Sequence, residues 1–234
     1  MIEVRPFAEL GRFRNDWLNG RHHFSFGNYH DPSRMGVGKL RVWNDDEIAP
    51  GTGFDPHPHK EMEIITYVRQ GAITHRDSLG NEGRTEAGDV QVMHAGTGIV
   101  HAENNRESAP TRLFQIWVLP DQHGVAPGWD MRRFPKAAGG GLEVLASGRA
   151  QDAGGAALPL YADAALLAGT LSAGQTVHVP MAAGRVGYLV PATGAVTVNG
   201  VAVGTRDGAM VANETVLAIT ATEPSELVLM DVAG

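Results

Sequence analysis

The chain contains no cysteine. Disulfides, thiolate metal sites and thiol nucleophiles are therefore excluded together. Basic residues are in the minority: 19 Lys and Arg against 26 Asp and Glu leave a net charge of −7. Such a chain presents no electrostatic footprint for a phosphate backbone, so direct nucleic-acid binding is not expected, although a protein partner is not excluded by charge. No apolar run approaches the ~18 residues of a membrane span. No N-terminal stretch joins a basic start, an apolar core and a small-residue cleavage site. The expectation is a cytoplasmic monomer away from membranes. Phosphate-loop, G-x-S-x-G and dinucleotide signatures are missing as well; Gly96-Thr97-Gly98 has no helical pattern after it and reads as a turn.

What the sequence does hold is glycine, proline and histidine. Thirty glycines and 13 prolines in 234 residues, with 43% hydrophobic residues, suit many tight turns around a sizeable core. Strand patterns at Lys39–Trp43, Glu63–Val68, Ala72–Arg76, Gly88–Met93 and Thr111–Leu119 recur at the ~8–12-residue spacing of an all-β sandwich or barrel. Before them, a short helix or turn is expected around Phe7–Asn19 and a strand within Arg21–Tyr29. His22 and His23 then point to opposite faces, as ordinary hydrogen-bonded or solvated histidines. Trp43 and Trp117 read as core, whereas Phe54, Met93 and Gln115 are candidates for a cavity wall.

The chemistry concentrates between Gly51 and Asn105. His57 and His59 form an H-x-H pair, and His101 and Glu103 an H-x-E pair. Residues two apart share a face of an extended strand, so each pair aims two ligand atoms at one point. Pro56 and Pro58 deny the first segment two ladder hydrogen bonds, which makes it an edge or bulged strand. Two such strands side by side give three imidazoles and a carboxylate, a donor set for zinc, iron, nickel, copper or manganese.

Two longer patterns surround these pairs. G-x5-H-x-H-x3-E-x7-G (Gly51, His57, His59, Glu63, Gly71) resembles the first cupin motif, and G-x5-H-x-G-x4-H-x3-N (Gly88, His94, Gly96, His101, Asn105) the second. The words H-F-S-F-G-N-Y, P-G-T-G-F-D-P-H-P-H and G-T-G-I-V-H-A-E resemble the pirin family. That resemblance implies an all-β chain of two cupin (jelly-roll) domains, a bicupin. It implies one divalent metal in the first domain, iron(II) foremost, with zinc, nickel, cobalt, manganese or copper compatible. General cupins often use the glutamate at Glu63 as the fourth ligand, pirins the one at Glu103; the shared face with His101 agrees with Glu103. The expected ligands are His57, His59, His101 and Glu103, with Glu103 also the catalytic base. The implied activity is that of a flavonol (quercetin) 2,3-dioxygenase, with a flavonol-like chelator and O2 as substrates. The alternative is a metal-binding, redox-sensing regulator acting through a protein partner. His94 is expected to be a core or pocket residue, and His75 to pair with Asp77.

Residues 120–155 have linker composition, broken by a short strand at Leu142–Ala146. Domains are therefore expected at 1–135 and 136–234. Val186–Val190, Gly194 and Ala195–Val198 repeat Ile64–Val68, Gly71 and Ala72–His75. This places Pro180 and Ala182 where His57 and His59 stand, and leaves His178 as the only histidine of a degenerate, metal-free second cupin domain.

Overall fold

The computed structural model describes residues 1–133 and 141–234. The expected boundary at 135/136 falls outside them. Up to residue 133 the strands are β1 (Ile2–Arg5), β2 (Gly11–Arg14), β3 (Leu18–His22), β4 (Leu40–Ile48), β5 (Gly53–His59) and β6 (Glu63–Gln70). There follow β7 (Ala72–Asp77), β8 (Glu82–Glu86), β9 (Val90–His94), β10 (Ile99–Asn104), β11 (Thr111–Val118) and β12 (Gly128–Arg132). Beyond residue 141 come β13 (Glu143–Ser147), β14 (Leu158–Pro159), β15 (Ala164–Leu171), β16 (Thr176–Pro180) and β17 (Arg185–Thr193). The last are β18 (Val196–Val198), β19 (Val201–Val203), β20 (Gly208–Ala212), β21 (Val216–Ala221) and β22 (Ser225–Ala233). Among the described residues the only helical pieces are single 3-10 turns at Phe7–Glu9 and Ala150–Asp152, so the chain is all-β. None is long and apolar enough to cross a membrane.

The strands form two barrels of one plan. In the first, a seven-stranded sheet β12-β9-β6-β11-β4-β3-β2 faces a four-stranded sheet β5-β10-β7-β8. In the second, β1-β20-β17-β22-β15-β13-β14 faces β16-β21-β18-β19. The orders correspond strand for strand, which makes the internal repeat a structural one. One exchange breaks the symmetry of sequence: β1, from the N-terminus, pairs antiparallel with β20 on the edge of the second barrel's sheet. The region expected as a helix or turn at Phe7–Asn19 is a 3-10 turn leading into the β2–β3 hairpin. The strand expected within Arg21–Tyr29 lies earlier, at Leu18–His22, and Phe26 and Tyr29 only bridge a turn.

Burial on both faces explains the almost unbroken apolar run in β11. Phe114, Ile116 and Val118 enter a core shared with Leu166, Tyr188, Val228 and Met230 of the second barrel. Leu113, Gln115 and Trp117, on the opposite parity, face the first barrel's interior. Neighbouring strands keep the same division: Ile65, Tyr67, Val90 and Val92 belong to the shared core. The two large sheets thus pack face to face between the barrels, as sandwich sheets do.

Several polar groups inside this shared core are paired, although His23 Nε2, Arg69 Nε and Trp43 Nε1 have no protein partner. Asp45 is fully buried and bridges Arg69 of its own barrel and Arg206 of the other. The Tyr67 hydroxyl donates to Glu226, and His23 Nδ1 lies 3.0 Å from Tyr188 Oη. His22 and His23 do face opposite ways: His23 meets the second barrel, and His22 lines a cavity in the first.

The second barrel's interior is apolar. Leu189, Val196, Val198, Leu217, Ile219 and Leu229 fill it. Strand β21, which stands where β10 stands in the first barrel, reads V-L-A-I-T-A and carries neither histidine nor carboxylate. His178 is exposed on β16. Substituting His178 by alanine is expected to leave metal content, melting temperature and turnover unchanged; a loss of bound metal in that variant would contradict a purely structural second barrel.

Candidate metal centre

β5 and β10 lie side by side at one end of the small sheet, with β5 on its edge as its two prolines require. His57 stands directly opposite His101 in their antiparallel register. The register slips between His101 and Glu103, so β5 contains a bulge at the segment carrying Pro56. Gly53 permits the close approach: a Cβ there would lie 2.2 Å from the Glu103 carbonyl oxygen.

Ligand atoms of His57, His59 and His101 all lie within 4.8 Å of one another. Their ring centroids are 4.5 to 5.0 Å apart. Hydrogen bonds at the other ring nitrogens fix which atoms are free. His57 Nδ1 donates to the Asp55 carbonyl at 2.7 Å. His101 Nδ1 lies 3.5 Å from His75 Nδ1, whose ring Nε2 is 2.9 Å from Asp77 Oδ2. The Nε2 atoms of His59 and His101 are buried without any protein partner. Buried nitrogens left bare in this way are what a metal ligand looks like before the metal is added. The donor set, three imidazole nitrogens with a carboxylate nearby, fits a divalent transition metal.

Glu103 is placed differently from the three histidines. Its ligand atom groups with those of His101 and His75 rather than with His57 and His59. Oε1 accepts from Gln91 Nε2 and, at 3.2 Å, from Thr66 Oγ1; Oε2 accepts from Gln115 Nε2 at 2.7 Å. With two lone pairs on each oxygen, one position on Oε2 is left for a further partner. Glu63, the other candidate glutamate, faces away: Oε2 is 2.6 Å from His94 Nδ1 and accepts the Tyr161 N–H at 3.0 Å. Glu63 and His94 therefore form a junction between the barrels.

The cluster opens into a cavity of about 510 Å³, within the ~300–1,000 Å³ usual for small-molecule sites. Phe26, Phe54 and Trp117 supply aromatic wall, and Trp117 stands edge-on to His59 at 5.0 Å. Trp117, expected as core, is a cavity residue; Trp43 is core, with no exposed surface. Met93 packs with Ile64, Ala95 and Ile99 instead of lining the cavity. Sequence reading also passed over Thr66, Gln91, Asn44 and Asp46. The available signal was parity: Thr66 lies between Ile64 and Val68, and Gln91 two before Met93, all on the inward face.

Burial, followed by neighbouring imidazoles, lowers His59 to about 4 and His101 to about 3. Burial also lowers His22 to about 4. Burial first, then the carboxylates of Asp45 and Glu103, push Asp46 up to about 8. In metal-free protein these shifts oppose each other. Below the ordinary histidine value of 6.5 the unfolded chain takes up protons that the buried imidazoles refuse, so stability falls toward pH 4. From pH 6.5 to about 8 the native chain holds the extra proton, on Asp46, and stability falls as pH rises. Melting temperatures of metal-stripped protein are expected to peak near about pH 6.5. Asp46→Asn should flatten the alkaline side; an unchanged alkaline limb in that variant would contradict the assignment.

Two barrels of one plan, with a histidine-lined cavity in the first, define a bicupin. Family models agree: "Pirin" matches residues 3–118 and "Quercetinase C-terminal cupin domain" matches residues 144–232. The chain belongs to the pirin family. It is 57% identical over 234 residues to a pirin-like protein of Caulobacter vibrioides, covering 100% of both chains. It is 41% identical to the quercetin 2,3-dioxygenase of Escherichia coli K12, covering 99% of this chain and 98% of that one. The crystal structure of the Escherichia coli bacterial pirin YhhW in complex with nickel(II) superposes with a TM-score of 0.93 at 39% identity, covering 100% and 99% of the two chains.

Proposed function

We propose that this chain is a metal-dependent dioxygenase of flavonols, with one divalent ion held by His57, His59, His101 and Glu103. The observation that carries the reading is the convergence of three imidazoles, two with bare buried Nε2 atoms, on an aromatic-walled cavity. The names of the Escherichia coli relatives, a quercetin 2,3-dioxygenase and a pirin with nickel(II), support the substrate class and the kind of ion. Iron(II) is the ion proposed for the cell; the nitrogen-rich site suits nickel equally well.

A bound divalent ion supplies Lewis acidity that lowers the pKa of a chelating hydroxyl. The rest falls to the chain's own residues. Phe54 and Trp117 hold a planar ring system and keep water from it. Gln91, Gln115 and Thr66 fix the Glu103 carboxylate; its one remaining Oε2 position would serve either as a ligand or as a proton acceptor, so Glu103 takes the ligand's hydroxyl proton only where it has given up the ion. A regulator that needed only an ion and a surface would have no use for a cavity of about 510 Å³ beside that ion. Quercetin added to metal-loaded protein without oxygen, followed by air, is expected to lose its flavonol absorption band and release carbon monoxide. A band that persists in air with full metal occupancy would refute the dioxygenase reading.

A further inference from the structure

The cavity has a second polar wall that the metal chemistry does not use. Cross-strand partners run in one rung over five strands of the large sheet: His22, Asn44, Gln115, Thr66 and Gln91. Residues paired in this way project to the same face. The Gln115, Thr66 and Gln91 end of the rung is engaged with Glu103. The other end is not. His22 is 5% exposed, Asn44 3% and Asp46, two residues along β4 from Asn44, 2%. All three line the cavity, and His22 Nδ1, Asn44 Oδ1 and Asp46 Oδ1 are buried with no well-formed protein hydrogen bond, although the His22 ring also approaches the Phe26 backbone.

Leaving three such atoms unpaired against an apolar core costs stability, so their retention in a cavity points to a ligand that satisfies them. The neighbouring strand keeps the corner open. Gly20 is paired with Asp46, and a Cβ on it would lie 2.8 Å from Asp46 Oδ1 and 3.4 Å from His22 Nε2. Any larger residue would fill the space in front of these groups.

We propose that His22, Asn44 and Asp46 form a hydroxyl-recognition subsite for the ring of the ligand that lies far from the metal. This rests on the reading of the cavity as an aromatic chelator's site and narrows that reading to polyphenols hydroxylated on the distal ring. Asn44 and His22 lie one and two strands beyond Gln115, about 5 and 10 Å along the sheet. A ligand must therefore carry a second ring to reach them. A neutral imidazole nitrogen and an amide oxygen accept from phenol hydroxyls, and a carboxylic acid both donates and accepts. The same set disfavours a negative charge at that end, because an anion there would meet the carboxyl of Asp46 and two bare acceptors.

The test compares two ligands with the same chelating ring system: quercetin, hydroxylated on the distal ring, and a flavonol bare on that ring. Dissociation constants are measured by fluorescence titration of metal-loaded protein without oxygen. Two or three hydrogen bonds at ordinary net strength predict a preference for quercetin of ~10–100-fold. Asn44→Leu and Asp46→Leu are each expected to reduce that preference several-fold while leaving the bare flavonol's affinity within about 3-fold, since neither touches the chelating end. Asp46→Asn, which still offers a donor and an acceptor, is expected to keep most of it, and it serves if the leucine variants fold poorly. Equal affinity of the two flavonols for the unmodified protein would overturn the subsite and leave the dioxygenase reading standing. Failure of both flavonols to bind would overturn the two together. A preference that survives in both leucine variants would place the distal ring elsewhere and overturn the subsite alone.

Discussion

Glu103→Gln is expected to lower flavonol turnover ~10²-fold or more while the three histidines keep part of the metal. The size follows from removing the proposed general base together with a proposed charged ligand. The surroundings sharpen the expectation. Oε1 and Oε2 of Glu103 accept from the side-chain amides of Gln91 and Gln115, and Thr66 adds a third donor. A glutamine at 103 turns an N–H toward one of these donors, so one amide must reverse. Gln91 Oε1 already accepts from Thr85 Oγ1 at 2.8 Å, which makes Gln115 the side chain with more freedom to turn. Metal content, melting temperature and turnover should be read on one preparation. Full activity in a metal-loaded variant would show that the base is another group. Glu63 is then no substitute, since it is enclosed between His94 and the Tyr161 N–H; Asp46 and Asp55 are the other acidic residues that line the cavity.

The largest effect on stability is expected at Asp45. Its carboxylate is completely buried between Arg69, itself mostly buried, and Arg206 of the second barrel. Arg69 also lies over the Phe114 ring at 4.6 Å, and Arg206 over that of Phe7 at 4.0 Å. Asp45→Ala leaves the Arg69 charge in the shared core without its counter-ion, at a cost of about 3–5 kcal/mol. Arg206→Ala should cost much less, because that side chain is 31% exposed and water takes over part of its solvation. Denaturant unfolding of the two variants checks the order. Equal losses, or a loss below about 1 kcal/mol for Asp45→Ala, would mean that the pair is replaceable.

Much of the site was legible because ligand spacing and strand period coincide. H-x-H and H-x-E each put two candidate ligands on one face, whatever the rest of the fold does. Pro56 and Pro58 announced an edge strand, and β5 is one. The lone Gln115 within T-R-L-F-Q-I-W-V marked an inward polar position, and it holds Glu103. Trp117 was misread as core because it shares that apolar run. A run buried on both faces does not say which face is a packed interior and which a cavity.

By itself, then, the sequence determined the all-β class, the repeat, the loss of histidines from the second half and the three imidazoles that gather in the first. These are local facts of period, turn chemistry and residue type. Only the tertiary structure decided that β1 crosses to the other barrel's sheet, that Glu63 serves the junction between barrels, and that His22, Asn44 and Asp46 line one cavity with His57, His59 and His101. Each depends on which strands become neighbours. Pairing joins residues dozens of positions apart, as His22, Asn44 and Gln115 are, and no local pattern records which partner a strand takes.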